Sequence, residues 1–151
     1  MEHANAGPDL HLLDLVTADM DATIAFYRAL GVAIADTAIW RTPSGPHHVD
    51  ITLPGGMTVH FDSAALAKVY NRGWREPTGA GSRVIIGFRV ASRDAVDRTH
   101  SALTDLGHRS SQPPYDAFWG ARYAVVEDPD GNHVGIMSPL DPARKGAPPA
   151  L

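Results

Sequence analysis

Leu12-Leu13-Asp14-Leu15-Val16-Thr17-Ala18-Asp19-Met20, running on to Phe26-Tyr27-Arg28-Ala29-Leu30-Gly31, is the stretch whose reading decides the fold. Leu12 to Val16 reads as a strand. Asp19 stands where a helix cap belongs, because its carboxylate can accept from the first unpaired backbone N–H groups. Met20, Ile24, Tyr27 and Leu30 then recur at helical spacing. Gly31 suits the left-handed turn that stops a helix.

The same grammar returns in the second half. Val84-Ile85-Ile86-Gly87-Phe88-Arg89-Val90 reads as a strand, Ser92 as a cap, Val96, Thr99, Leu103 and Leu106 as one helical face, and Gly107 as the stop. Gly55 then follows Gly31 at the same interval as Gly131 follows Gly107, and both mark tight turns between antiparallel strands. One turn, Leu53-Pro54-Gly55-Gly56, lies between His48–Leu53 and Met57–Phe61; the other, Asp128-Pro129-Asp130-Gly131-Asn132, lies between Ala121–Val126 and His133–Met137. A further strand is expected before each pair, over about Val32 to Trp40 and His108 to Ser111. An internal duplication of this kind predicts an α+β fold: two βαβββ modules forming a curved mixed sheet with helices on its outer face. Neither half, at about 60 residues, buries much alone. The expected boundaries are a flexible 1–8, modules at 9–62 and 83–140, a segment at 63–82, and a disordered tail at 141–151. Ser63 is placed to cap a short helix through about Asn71, after which Gly73, Pro77, Gly79 and Gly81 break the chain.

The 151 residues suffice for one domain with a real core, and 44% hydrophobic with 20% charged residues is an ordinary globular balance. A formal charge of −4 leaves no basic footprint for nucleic acid and mildly favours neutral or cationic ligands. There is no cysteine, which excludes thiolate nucleophiles, thiolate metal sites and disulfides together. No stretch approaches the roughly 20 apolar residues of a membrane span, and the first eight residues lack an apolar signal core. A cytoplasmic protein without membrane or nucleic-acid partners is the expectation.

Val16–Met20 with Phe26–Gly31 is similar to the first strand–helix unit of the glyoxalase / bleomycin-resistance / dioxygenase (vicinal oxygen chelate) superfamily, and Trp119–Tyr123 with Glu127–Asn132 resembles its last hairpin. The resemblance spans about residues 9 to 140. It implies paired βαβββ modules and, commonly, a dimer. It also implies a range of roles, from metal-dependent lyases, epimerases and dioxygenases to non-catalytic proteins that sequester drugs. Metal-using members supply His, Glu or Gln from the first and last strands of each module. The matching positions here are Leu12, Ile85, His60 and Gly135, of which only His60 carries a donor. One imidazole is far too weak to hold a divalent ion. His11 and His133 are the neighbours that a shifted register would bring in, although a one-residue shift turns a side chain to the opposite face. His47 and His48, as strand neighbours, cannot both chelate one ion. They read as loop or strand-start residues, and His3, His100 and His108 as solvent-facing. No metal and no cofactor is expected.

What remains is a pocket. Leu12, Asp14 and Val16 share the face assigned to it. Asp14 is a carboxylate in an apolar strand and calls for a partner such as an arginine or His60, a ligand cation, or solvent. Asp14 and His60 form the candidate acid–base pair, catalytic only if the chain is an enzyme. Trp40, Tyr70, Tyr115, Phe118 and Trp119 fall at strand ends and in loops, where aromatic faces stack on flat ligands or anchor a dimer interface. Phe26, Phe88 and Tyr123 read as core. The leading expectation is a metal-independent homodimer that sequesters a flat or aromatic metabolite or antibiotic. The alternative is a lyase, isomerase or dioxygenase of the same superfamily using His60, with or without a divalent metal.

Overall fold

The computed structural model describes residue 10 and residues 12–72, 74–79, 82 and 84–150. His3, His11, Gly73, Gly81 and the segment 1–8 lie outside the described residues. The elements run β1 (Leu12–Thr17), α1 (Met20–Leu30), β2 (Ile39–Thr42), β3 (Gly45–Thr52), β4 (Thr58–Ser63), α2 (Ala64–Tyr70), β5 (Ile85–Arg89), α3 (Arg93–Asp105), β6 (Ser110–Asp116), β7 (Arg122–Glu127) and β8 (His133–Met137). Single 3₁₀ turns occupy Asp36–Ala38 and Pro142–Arg144. The fold is α+β, and each expected module builds its own four-stranded mixed sheet, in the orders β1-β4-β3-β2 and β5-β8-β7-β6. In each, the first strand pairs in parallel with the last, and the remaining pairs are antiparallel. No helix among the described residues is long and apolar enough to cross a membrane.

The chain packs as two compact units. The first comprises the described residues up to Met20 together with Ala33–Arg75; the second comprises Asp21–Val32 and the residues from Glu76 onward. In the first unit, Val49, Ile51, Val59 and Phe61 are buried on one face of the sheet. Ser63 caps α2 by accepting from the Leu66 N–H at 3.1 Å, as its position predicts.

In the second unit, Val96 and Leu103 of α3, Phe26 and Tyr27 of α1, and Val126, Val134 and Ile136 of the sheet form the core. Each such side chain contributes about 1.5–3 kcal/mol on burial. Ser92 caps α3 through the Ala95 N–H. The Asp128–Asn132 turn is organised by one carboxylate. Asp128 accepts from the backbone N–H groups of Asp130 and Asn132 and from the Asn132 side-chain amide, at 2.9 to 3.0 Å. Its Oδ2 also accepts the Tyr27 hydroxyl at 2.9 Å, and Asp130 accepts the Thr23 hydroxyl at 3.3 Å, so α1 is clipped onto this turn. Burial and the Asp128 charge push the Tyr27 hydroxyl far above its ordinary pKa, so it stays a neutral donor.

Several expectations need correction. The strand expected over Val32 to Trp40 starts only at Ile39, because the 3₁₀ turn precedes it. The one expected at His108 to Ser111 runs instead from Ser110 to Asp116, as the edge strand of its sheet. Edge position tolerates Pro113 and Pro114, and two register shifts accommodate them. Tyr115 therefore lies on a strand, not in a loop. Leu106 is exposed, because α3 has ended before it. His100 donates to or accepts from Ser110 Oγ at 2.8 Å, and His108 packs edge-on against Phe26, so neither simply faces solvent. The tail is pinned as far as Gly146 by backbone bonds from Asp141 N–H to the Gly120 carbonyl and from Gly146 N–H to the Phe118 carbonyl.

Candidate functional site

The Leu53–Met57 turn fixes the register of β3 on β4, and that register gathers a polar cluster on one face of the first sheet. His48 lies opposite Asp62, Asp50 opposite His60, and His60 beside Asp14 on β1. His48 Nδ1 and Asp62 Oδ1 are 2.5 Å apart. Asp62 is buried and also accepts the Tyr70 hydroxyl at 3.0 Å; the same hydroxyl reaches Asp14 at 3.3 Å. The His60 and His48 rings meet edge to face at 5.0 Å. Asp14's carboxyl is held above its ordinary pKa, first by burial and then by the hydrogen bond and negative charge of Asp62, against the opposing pull of Tyr70 and His60.

Asp14, His60 and Tyr70 are thus brought together, with Leu12 on the same face of β1 as Asp14. No hydrogen bond joins Asp14 to His60, however; the hydrogen-bonded acid–base pair of this unit is His48–Asp62. By sequence, His48 reads as a loop or strand-start residue and the strand ends at Phe61, one residue short of Asp62, whereas β4 runs on to Ser63. Trp40 goes elsewhere: its ring neighbours that of His47 at 5.7 Å. His47 is itself held by Ser44 and Ser63.

The second sheet presents a different surface. Its equivalent face carries a cross-strand row of Arg89, Met137, Tyr123 and Tyr115. The next row is nearly bare, with Gly87 facing Gly135. Trp119 stands at the tip of the β6–β7 hairpin, where Gly120 has a φ of +97° and leaves no space for a side chain: a Cβ there would lie 2.5 Å from the Asp141 carbonyl oxygen. The Trp119 ring packs edge-on against Tyr123 at 5.4 Å and Phe118 at 5.2 Å, and Tyr115 closes the group at 6.3 Å from Trp119. Ile85, Gly87, Arg89, Trp119, Tyr123 and Met137 line a pocket of about 610 Å³, and Phe88 contributes to its wall. Trp119, Phe118 and Tyr115 are therefore brought together, and of the three Trp119 lines the pocket. Tyr123, read as core, is instead a half-buried pocket residue. Burial holds its hydroxyl above the usual pKa, hence neutral.

The pattern of one family covers almost the whole of this arrangement, matching residues 9–136. The chain belongs to the glyoxalase/bleomycin resistance protein/dioxygenase superfamily. Solved structures of the superfamily share its fold. A family enzyme from Burkholderia phytofirmans PsJN superposes with a TM-score of 0.71 at 22% identity, covering 88% of this chain and 100% of that one. A member from Nocardioides gives 0.65 at 25% identity over 97% and 91% of the two chains. A glyoxalase-related enzyme from Fulvimarina pelagi gives 0.69 at 19% identity over 87% and 88%. No curated protein matches the chain.

The divalent metal used by some superfamily members does not fit the residues present here. Leu12 and Ile85 offer no donor atom. At Gly135 an added Cβ would lie 2.7 Å from the Tyr123 hydroxyl and 3.0 Å from its Cε2, so the tyrosine ring takes the space that a ligating side chain would need. His133 faces Glu127, with 3.9 Å between Nε2 and Oε1. Among the described residues, no group of three or more His, Asp or Glu is arranged to hold an ion.

Proposed function

We propose that the chain is a metal-independent small-molecule binding protein that sequesters a flat or aromatic metabolite or antibiotic. The observation that carries this reading is the pocket of about 610 Å³ on the second sheet, with a bare glycine floor and the Trp119–Tyr123 aromatic wall. A pocket of this size and apolar character suits one drug-sized ligand. Stacking on the indole and burial of apolar surface supply the affinity. The proposal includes a homodimer, with a second copy covering the pocket mouth. The exposure of Ile85 in that pocket's lining supports it, since an apolar side chain left open at a pocket rim favours a partner surface. Titration with a panel of flat hydrophobic drugs, followed by tryptophan fluorescence, tests the reading. The expected signal is quenching that disappears in Trp119→Phe and persists in Trp40→Phe. A panel that leaves the emission unchanged contradicts it.

A second reading, metal-free acid–base catalysis, is favoured by the polar cluster of the first unit. Asp62 orients His48 through Nδ1, which leaves Nε2 available for proton transfer. Under that reading, His48→Gln and His60→Ala abolish turnover of a bound substrate while its affinity changes little.

A further inference from the structure

We infer that the ligand of the second-sheet pocket carries an anionic group, and that Arg89 receives it: the chemical class is a planar aromatic carboxylate. The inference rests on the pocket reading above and deepens it. Arg89 is the one charged side chain among the described residues that line the pocket. Among the described residues it has no ion-pair or hydrogen-bond partner, whereas the nearby arginines Arg93 and Arg122 are both engaged with Asp116 and, for Arg122, with Asp97. The acidic residue on the same face, Glu127, lies two rows away from Arg89 across the sheet and is taken up by Arg109 and the Ser111 hydroxyl.

The spacing suits such a ligand. Gly87 and Arg89 point to the same face of β5 and stand about 7 Å apart along the strand. A Cβ at Gly87 would meet nothing within 4 Å, so the floor beside Arg89 is open. A flat ring seated over Gly87, with Trp119 and the Tyr123 ring that covers Gly135 along its edge, directs a carboxylate attached to that ring at the guanidinium. The guanidinium fork matches a carboxylate with two parallel N–H···O bonds, and the arrangement is planar throughout. The overall charge of −4 favours cations, but it acts over the whole surface. At contact distance the unpaired guanidinium decides the sign.

The test uses three probes of one shape, 2-naphthoate, 2-naphthamide and 2-naphthylmethylammonium, titrated calorimetrically into the full chain. The acid is expected to bind at least about tenfold more tightly than the amide, and the cation most weakly. Arg89→Gln should remove the acid's advantage over the amide, lowering the acid's affinity at least about tenfold and the amide's far less. Arg89→Lys, which keeps the charge without the fork, should fall between. Equal affinities for acid and amide, or an acid affinity that Arg89→Gln does not alter, overturn the anion assignment while the pocket reading stands. Failure of all three probes to bind overturns both.

Discussion

Gly87 offers a perturbation in which stability and binding should move in opposite directions. Its backbone is ordinary strand, with no positive φ, and the space above it is open for at least 4 Å around an added Cβ. Gly87→Val therefore meets no steric obstacle in the empty protein. A glycine inside a regular element costs roughly 0.5–1 kcal/mol relative to a residue with a side chain, and valine is a strong strand former. The variant should gain about that much stability, which for a chain of this size raises the melting temperature by roughly 1–4 °C. The same side chain now stands on the pocket floor. A ligand that seats there must accept an overpacked contact, worth about 1–3 kcal/mol, or a loss of roughly 5- to 150-fold in affinity. Thermal unfolding and calorimetric titration with 2-naphthoate, run on the same preparations, read both quantities. Unchanged affinity would place the ligand off this floor. A lowered melting temperature would show that the space is already filled, and the reasoning would fail at its first step.

Further expectations concern other residues. Gly135→Ala should force the Tyr123 ring aside, given the 2.7 Å approach, and so alter the emission of Trp119 beside it; an unchanged spectrum would mean that the ring does not cover this position. Tyr27→Phe removes one of the donors to the buried Asp128 carboxylate and should cost about 1.5–3 kcal/mol, measured by denaturant unfolding. A cost near zero would show that α1 is not clipped to the turn. Asp14 binds its proton more tightly in the folded chain than in the unfolded one. Its contribution to stability is therefore fully present below the ordinary value of 3.8 and is lost as pH rises through the elevated folded value. Asp14→Asn should accordingly stabilise the protein at neutral pH, and the gain should vanish toward pH 3; a gain that is constant across that range contradicts the assignment.

The duplicated strand–helix–hairpin grammar made the fold legible, because caps, stops and turns are local signals: Ser63 and Ser92 cap the helices they precede, and Gly31 and Gly107 end theirs with positive φ. The late start of β2 and the long β6 were less legible. Edge strands carry fewer pairing constraints, and the prolines of β6 resemble a loop until its partner strand is known. The His48–Asp62 pair could have been found, since a tight turn centred on Gly55 fixes which residues face each other along β3 and β4. Tyr123 is the opposite case. By sequence it reads as a core residue of its strand, and nothing in the chain shows that its ring leans over Gly135. That depends on the missing side chain at one position and the aromatic neighbours at others, which come together only through the hairpin tip at Trp119. Arg89 is illegible in the sequence for a similar reason: an arginine at a strand end is commonplace, and its lack of a partner among the described residues is visible only in three dimensions.

Binding of 2-naphthoate before and after exhaustive chelation is the most direct measurement of the central claim, that the second sheet holds its ligand by indole stacking, apolar burial and a guanidinium without an ion. The affinity is expected to be the same in both preparations, and elemental analysis should find no stoichiometric divalent metal in either. Affinity that falls on chelation and returns with one equivalent of added zinc, nickel, manganese or iron would contradict the account.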